Sequence, residues 1–163
     1  NGLITMKDVS TTDRFKVSTS GAARVVLNAS ADVININMEE NSSGDFNVAS
    51  DSLNLIFNDR IDAKVYATGQ SNSLFMYKNA SVKMEGNTEF FSVKLYGNST
   101  LKAEEFKSNR IRIYAEDSPD ARVFATDEIE LSSKGASKTS LYGNPRITIL
   151  EFLDTSQLHK ENN

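Results

Sequence analysis

The sequence predicts an all-β protein built as a parallel β-solenoid, in which short strands stack coil upon coil. Three observations predict it. Apolar and polar residues alternate along short runs, small polar residues separate the runs, and aliphatic residues recur at a constant spacing in the second half. A constant spacing arises when equivalent residues stack in one chain direction. An antiparallel β-sandwich, the alternative fold, gives no reason for such a spacing.

The alternation is clear in runs such as residues 33–38, 92–96 and 110–114, where Ile, Val and Leu alternate with Asn, Ser, Lys and Arg. This period of two is typical of strands with one buried and one exposed face. Turn-forming residues separate the runs, as at 20–22, 97–100 and 143–145. No amphipathic helix of ten or more residues is predicted before the C-terminal tail.

The repeat in the second half predicts coils of about 18 residues. We expect two aliphatic columns to be buried inside the solenoid, and a third, aromatic column to pack in the core as well. The three columns are Val93, Ile111, Ile129 and Ile147; Leu95, Ile113, Leu131 and Ile149; and Phe106, Phe124 and Tyr142.

The whole chain, residues 1–163, is predicted to be one domain, with a repeat body at 13–150 and a C-terminal cap or tail at 151–163. Residues before about 70 fit the period poorly, so we expect irregular coils or a capping element there. An open last coil would expose strand edges to pairing with other chains. We therefore expect Phe152 and Leu153 to cover that end or to pack on a second copy.

Composition excludes several classes of partner and site. The net charge is −4, from 18 basic and 22 acidic residues, with no basic patch, so nucleic acid is not an expected partner. No apolar run is long enough to cross a bilayer, and without cysteine no disulfide can form. The chain begins with Asn1 and Gly2 rather than Met, so we expect a processed or trimmed start from which any signal peptide has already been removed.

Catalytic groups are sparse in this sequence. His159 is the only histidine, lies in the polar tail, and is expected to be solvent-exposed rather than part of a Ser-His-Asp triad. No cofactor or metal motif occurs, so we expect neither a cofactor nor a bound metal. Aspartates at 59 and 62, and at 117, 120 and 127, are expected in solvated turns; calcium binding or catalysis by them is the open alternative.

The candidate binding residues are two tyrosines, Tyr96 and Tyr114. If Leu95 and Ile113 point inward, these tyrosines point outward and could stack on sugar rings, with Tyr77 next in line. The alternative is a stacked ladder that only shields the sheet.

The same outward face carries Lys94, Arg112, Glu130 and Thr148 between the two aliphatic columns. Stacking at the repeat spacing places Arg112 between Lys94 and Glu130. We therefore expect an exposed salt bridge between Arg112 and Glu130, and mild repulsion between Arg112 and Lys94.

Three segments carry a family resemblance. They are Ser-Gly-Ala-Ala-Arg-Val-Val-Leu at 20–27, Asp-Ser-Leu-Asn-Leu at 51–55, and the stretch 134–145, which runs from Lys-Gly-Ala-Ser to Tyr-Gly-Asn-Pro. In this order they resemble the putative auto-transporter adhesin head domain, or GIN domain, common in Bacteroidetes. The resemblance implies a right-handed β-solenoid, export to the envelope and an adhesive role without assigned catalysis. It supplies no binding residues, and the turns at 68–71, 97–99 and 117–119 depart from the family's usual Ser-Gly-Ala.

These observations favour a non-catalytic, exported binding module of the bacterial envelope, located in the periplasm, at the outer membrane surface or outside the cell. Its expected partner is a glycan or a surface protein. Two alternatives remain at this point: a carbohydrate-active β-helix enzyme, and a structural spacer that assembles end to end as a homo-oligomer through the solenoid ends.

Overall fold

The structure, a computed structural model, describes residues 2–162 as a stack of parallel strands. Every strand pair is parallel, and the described residues contain no helix. The predicted parallel β-solenoid is thus confirmed against the antiparallel sandwich. The strands are β1 (Gly2–Ser10), β2 (Arg14–Thr19), β3 (Ala23–Met38), β4 (Ser43–Asn58), β5 (Asp62–Tyr77), β6 (Ser81–Gly97), β7 (Thr100–Asp117), β8 (Asp120–Ser133), β9 (Lys138–Tyr142), β10 (Arg146–Phe152) and β11 (Gln157–Lys160).

The strands form about eight coils. Coil 1 comprises β1 and β2, coils 2 to 7 are β3 to β8 in order, and coil 8 comprises β9 and β10; β11 begins a further coil. Each long strand is two legs joined at a bend, where the alternation slips by one residue. In β3, for example, Ala31 and Ile34 are both buried although two residues separate them. The slip lets both legs turn an apolar face toward one interior.

The first half of the solenoid is its most regular part. Arg24 pairs with Ser43, Ser43 with Asp62, and Asp62 with Ser81, with the same step along the chain each time. The expectation of irregular coils before residue 70 is therefore wrong. The step there is 19 residues (24 to 43, 43 to 62, 62 to 81) and not the 18 predicted from the second half, and one inward column also changes residue type at every coil. Its members in coils 2 to 5 are Ile34, Leu53, Asn72 and Phe91.

The second half departs from a fixed step because extra residues bulge out of the strands. Val93 pairs with Ile113, and not with Ile111 as the sequence period predicted. Ile111 does pair with Ile129, in agreement with that period. Register shifts near residues 83–85 and 103–110 account for the difference, since a β-bulge sets two residues against one.

The predicted aliphatic columns are buried through coil 7 and open at coil 8. Six of the eight residues are at most 2% exposed, whereas Ile147 and Ile149 are 42% and 51% exposed. Ile147 lies opposite Ile129, and Ile149 opposite Leu131, as the spacing predicted. Their predicted burial is wrong because, in the described residues, β10 pairs only with β8 and no strand covers its other side.

The predicted burial of the aromatic column is confirmed only for Phe106. Phe106 is fully buried and packs edge-on against Phe91, with ring centroids 5.0 Å apart. The bulge after Ala103 shifts the register, so Lys107 rather than Phe106 pairs with Phe124. Phe124 and Tyr142 consequently lie on the outer side, half-buried, and not in the core.

The positions of the outward-facing charged side chains test the same strand register. The predicted Arg112–Glu130 salt bridge is confirmed, with Nε and Oε2 2.8 Å apart. Lys94 does not lie beside Arg112: Arg112 pairs with Ser92, and Lys94 pairs with Tyr114. The ammonium of Lys94 lies 5.2 Å from the centroid of the Phe75 ring instead of facing another cation.

One turn recurs at the same corner of every coil, with a left-handed backbone. Its residues have φ between 58° and 79° and occur once in each coil: Gly21, Glu40, Asp59, Lys78, Gly97, Asp117, Gly135 and Asp154. Five of them are not glycine, although this conformation costs other residues on the order of 1 kcal/mol. Carboxylates on the following coil support two of the glycines. Gly97 N–H donates to Asp117 at 3.1 Å, and Gly135 N–H donates to Asp154 at 3.0 Å.

The C-terminal residues form strands rather than a loose tail. β11 pairs with β9, and Leu158 packs, partly buried, against the core. Phe152 and Leu153 are 41% and 48% exposed, so they cover the end only in part. The C-terminal end of the stack therefore presents apolar side chains to solvent.

Candidate functional site

Tyr77, Tyr96 and Tyr114 form an outward tyrosine ladder across coils 4 to 6. The rings of Tyr77 and Tyr96 stack with centroids 5.1 Å apart and an interplanar angle of 3°. Tyr96 and Tyr114 lie 5.7 Å apart at 44°, because the register shift in coil 6 moves Tyr114 out of line with Tyr96. All three are half-buried, so the predicted partial exposure of Tyr96 and Tyr114 agrees with the structure, but their predicted stacking does not, because the two rings are tilted and Tyr96 pairs with Glu116.

Charged neighbours fix the C-terminal end of the ladder. The hydroxyl of Tyr114 donates a hydrogen bond to the Glu116 carboxylate, which raises the pKa of Tyr114 because the bond favours the neutral phenol. Burial is the main cause that raises the pKa of Tyr96. The ammonium of Lys134 lies 5.5 Å from the centroid of the Tyr114 ring. Both phenols are therefore neutral at physiological pH.

Stacking limits what the ladder can bind. A sugar that packs on an aromatic residue needs an open ring face, whereas Tyr77 and Tyr96 cover each other's faces in parallel. Lys134 lies over the ring of Tyr114. These contacts favour the ladder that shields the sheet, and a binding role for Tyr96 and Tyr114 stays a prediction.

A second surface lies on the outside of the first leg of coils 1 to 5, and we call it the outer groove. It encloses about 530 Å³. Asn28, Asn47 and Tyr66 follow one another in register across coils 2 to 4 and form a column along its floor. Val26, Asp45 and Lys64 form a parallel column two residues earlier in each strand.

Irregular strands bound the outer groove at both ends. In coil 1, Met6 pairs with Leu27 and Val9 with Ala29, so Lys7 and Asp8 together face one residue and bulge. Asp8 adopts a left-handed backbone with φ 58°. At the far end, the register shift after Lys83 inserts one extra residue in coil 6. Bulges commonly re-aim side chains beside binding sites, and here they flank a regular floor.

Several side chains on the floor of the outer groove lack a ring, hydrogen-bond or ion-pair partner within the described chain. Tyr66 is 49% exposed, and within residues 2–162 its ring stacks on no other aromatic ring. Over the same residues the amides of Asn28 and Asn47 make no side-chain hydrogen bond, and Lys64 has no ion-pair partner. Sequence reasoning missed these residues, although Asn28, Asn47 and Tyr66 follow the regular step of the first half.

Charges around the outer groove balance. Its lining contains three basic residues (Lys7, Lys64, Lys83) and three acidic ones (Asp8, Asp45, Glu85). Arg24 pairs with Asp45 at 2.7 Å, and Lys83 pairs with Glu85 at 2.7 Å. The hydrogen bond to Glu85 is the main cause that raises the pKa of Lys83. The lining residues of the outer groove therefore carry no net charge at neutral pH, and Arg24, beside Asp45, lies outside this lining.

The candidate catalytic residues do not come together. Asp127 lies in the bend midway along β8, away from the turn that holds Asp117 and Asp120. Asp117 accepts a hydrogen bond from Gly97, and Asp59 pairs with Lys78 at 3.2 Å.

The possible metal ligands and the histidine likewise form no site within the described residues. No group of three or more His, Asp or Glu side chains among residues 2–162 is placed to hold a metal ion. His159 is exposed, as predicted, and its Nε2 lies 3.0 Å from Oε1 of Gln157.

Comparison with known proteins places the chain in a family by sequence alone. No curated protein and no solved structure gives a significant match. Residues 2–162 contain no helix that is long and apolar enough to cross a membrane. The family profile described as "Putative auto-transporter adhesin, head GIN domain" matches residues 1–145, which is most of the chain. The chain therefore belongs to the family of auto-transporter adhesin head GIN domains, as the turn and strand segments predicted.

Proposed function

We propose that this protein is a non-catalytic binding module that is exported and acts at the bacterial cell envelope. The observation that carries the proposal is the outer groove, an exposed surface whose floor residues have no partners inside the described chain. Membership of an adhesin head family supports the same function. The scattered aspartates and the exposed His159 support binding without catalysis, because hydrolysis needs carboxyl groups at a defined separation.

Binding is tested with the purified protein on a glycan array and against envelope fractions. We expect saturable binding to a defined set of glycans or to one envelope component. The double variant Tyr96→Ala/Tyr114→Ala examines the ladder in the same assays. If the ladder is the contact surface, this variant loses binding. If the ladder is structural, binding is retained and the melting temperature falls. An absence of binding in both assays would contradict the proposed function.

End-to-end assembly is a second candidate function, and the open C-terminal end favours it. Ile147 and Ile149 continue two interior columns and are 42% and 51% exposed. The same columns begin in coil 1 with Phe15 and Val17. A second copy stacked head to tail would extend both columns and cover the end. Such a contact is heterologous, so it generates chains rather than closed dimers.

Sedimentation velocity measures this assembly directly. We expect the sedimentation coefficient to rise with protein concentration, and Ile149→Lys to abolish the rise by placing a charge in the contact. A monomer at the highest concentration tested would leave binding as the only proposed function.

A further inference from the structure

We propose that the outer groove binds an uncharged oligosaccharide, with Tyr66 as the platform for one sugar ring. This inference rests on the proposed binding function and specifies the ligand of its contact surface. It rests on the open face of Tyr66, the free amides beside it, the charge balance of the lining and the bulges that flank both ends.

Tyr66 is the aromatic residue best placed to receive a sugar. A pyranose has an apolar C–H face that packs on an aromatic ring while its hydroxyls point sideways. Tyr66 is 49% exposed and, within residues 2–162, has no ring partner, in contrast to the mutually stacked Tyr77 and Tyr96. Met6 and Val26 add apolar surface to the same groove.

The floor around Tyr66 supplies polar groups at regular intervals. Asn47 lies on the neighbouring coil in register with Tyr66, and Asn28 lies one coil further. Each amide provides donors and an acceptor, which suits hydroxyl groups that both donate and accept. Lys64, two residues before Tyr66 in β5 and without an ion-pair partner in the described chain, adds a further donor.

The charge balance determines the class of saccharide. Three basic and three acidic residues line the outer groove, so the charges of its lining cancel. An anionic glycan would need an excess of cations, which this lining lacks. An uncharged sugar needs only hydrogen-bonding groups and an apolar platform, and the groove supplies both.

The bulges give the outer groove a defined length. Its floor extends over coils 2 to 5, which is three strand spacings or about 14 Å. Lys7 and Asp8 bulge at one end, and the register shift of coil 6 follows Lys83 at the other. This length admits a short oligosaccharide lying across the strands, rather than a single sugar.

The test compares variants on an array of uncharged oligosaccharides printed beside sialylated and sulfated ones. We expect the wild-type protein to bind uncharged members, with an affinity that changes little between about 0.05 and 0.5 M salt. Tyr66→Ala should weaken binding about tenfold or more, as loss of a central aromatic contact does. Tyr66→Phe keeps the ring and should stay within about threefold of wild type. Circular dichroism and thermal melting establish that each variant folds.

Three outcomes would overturn the inference while the binding function stands. The first is selective binding to sialylated or sulfated glycans. The second is unchanged binding by Tyr66→Ala with loss of binding in Tyr96→Ala/Tyr114→Ala, which places the ligand on the tyrosine ladder. The third is binding to an envelope component but to no glycan. Binding to nothing in either assay would instead refute the proposed function together with this inference.

Discussion

Ile129 and Ile147 occupy the same inward column, one in coil 7 and the other in coil 8, yet their environments differ. Ile129 is 1% exposed and Ile147 is 42% exposed, although the two residues pair directly. The interior of a solenoid is therefore a property of neighbouring coils and not of the residue. An aliphatic residue contributes its full hydrophobic stabilisation only when a coil covers it on both sides.

The largest expected effect compares one substitution at these two positions. Ile129→Asp places an unpaired carboxylate in the core and should destabilise by about 4 kcal/mol or more. Ile147→Asp leaves the carboxylate near solvent and should cost about 1 kcal/mol or less. Urea denaturation of both variants measures the difference. Equal losses would mean that coil 8 is covered in solution, for instance by a second copy.

Removing residues 151–163 tests how much the last strand protects the stack. The deletion removes Leu158 from its contact with the core and leaves β9 without its outer partner. We expect stability to fall by about 2 kcal/mol, the scale of one buried leucine, and aggregation to increase at the exposed edge. Deleting only 161–163 is the control and should have little effect. A shortened protein that stays monomeric and equally stable would show that these strands are dispensable.

Asn72 is a buried polar residue without hydrogen-bond partners inside the regular half of the solenoid. It is 1% exposed, sits between Leu53 and Phe91 in an otherwise apolar column, and neither polar atom of its side chain has a partner. Asn72→Leu should raise the free energy of unfolding by about 1 to 3 kcal/mol, because the desolvated amide is removed at similar volume.

The matched control for this substitution is Asn54→Leu. Asn54 is half-buried and bonds Asn35 at 2.9 Å, so its replacement should bring no gain in stability. Thermal melting compares the two variants. A loss of stability in Asn72→Leu would indicate that bound water satisfies the amide.

The smallest expected effect on stability concerns two exposed ion pairs of the same kind, each between an arginine and a glutamate on neighbouring coils. Arg112–Glu130 joins coils 6 and 7 at 2.8 Å, and Arg146–Glu128 joins coils 8 and 7 at 2.9 Å. Both arginines are largely exposed, so double-mutant cycles should give at most about 1 kcal/mol for each pair, and less at high salt. We expect the pair at the open end to be the weaker one. A coupling energy well above this range would point to burial of that pair in an assembly.

The sequence predicted the class of fold because alternation and turn residues report which side of a strand is buried. It predicted the pairing of Ile111 with Ile129, because the register shifts between β7 and β8 leave a step of 18 residues there (111 to 129), and failed between Val93 and Ile111, because an extra residue in β7 makes that step 20 residues (93 to 113). Bulges are local adjustments that an apolar spacing cannot reveal. The left-handed corner was equally hidden, since five of its eight positions carry charged residues instead of glycine.

The candidate binding surface is harder to predict from the sequence than the fold. The repeat of aromatic residues favours Tyr96 and Tyr114 as binding residues, but repetition at the stacking distance also lets rings cover one another, as Tyr77 and Tyr96 do. Tyr66 has no aromatic equivalent on the neighbouring coils, where Asn47 and Glu85 occupy its position. Its open face follows from that lack of repetition, which only the observed register shows.

The left-handed corner makes the chain divisible into exchangeable units. Excising residues 41–59 would join Glu40 to Arg60, which occupies the position of Asn41 one coil further on, and would shorten the rod by about 4.8 Å with the remaining columns in line. Asn47 would leave the outer groove with that unit, while both flanking bulges would remain. Adding a unit at the same corner would lengthen the groove by one strand spacing. A solenoid of this design can thus change the length of its outer groove by gaining or losing whole coils, with every turn kept as it is.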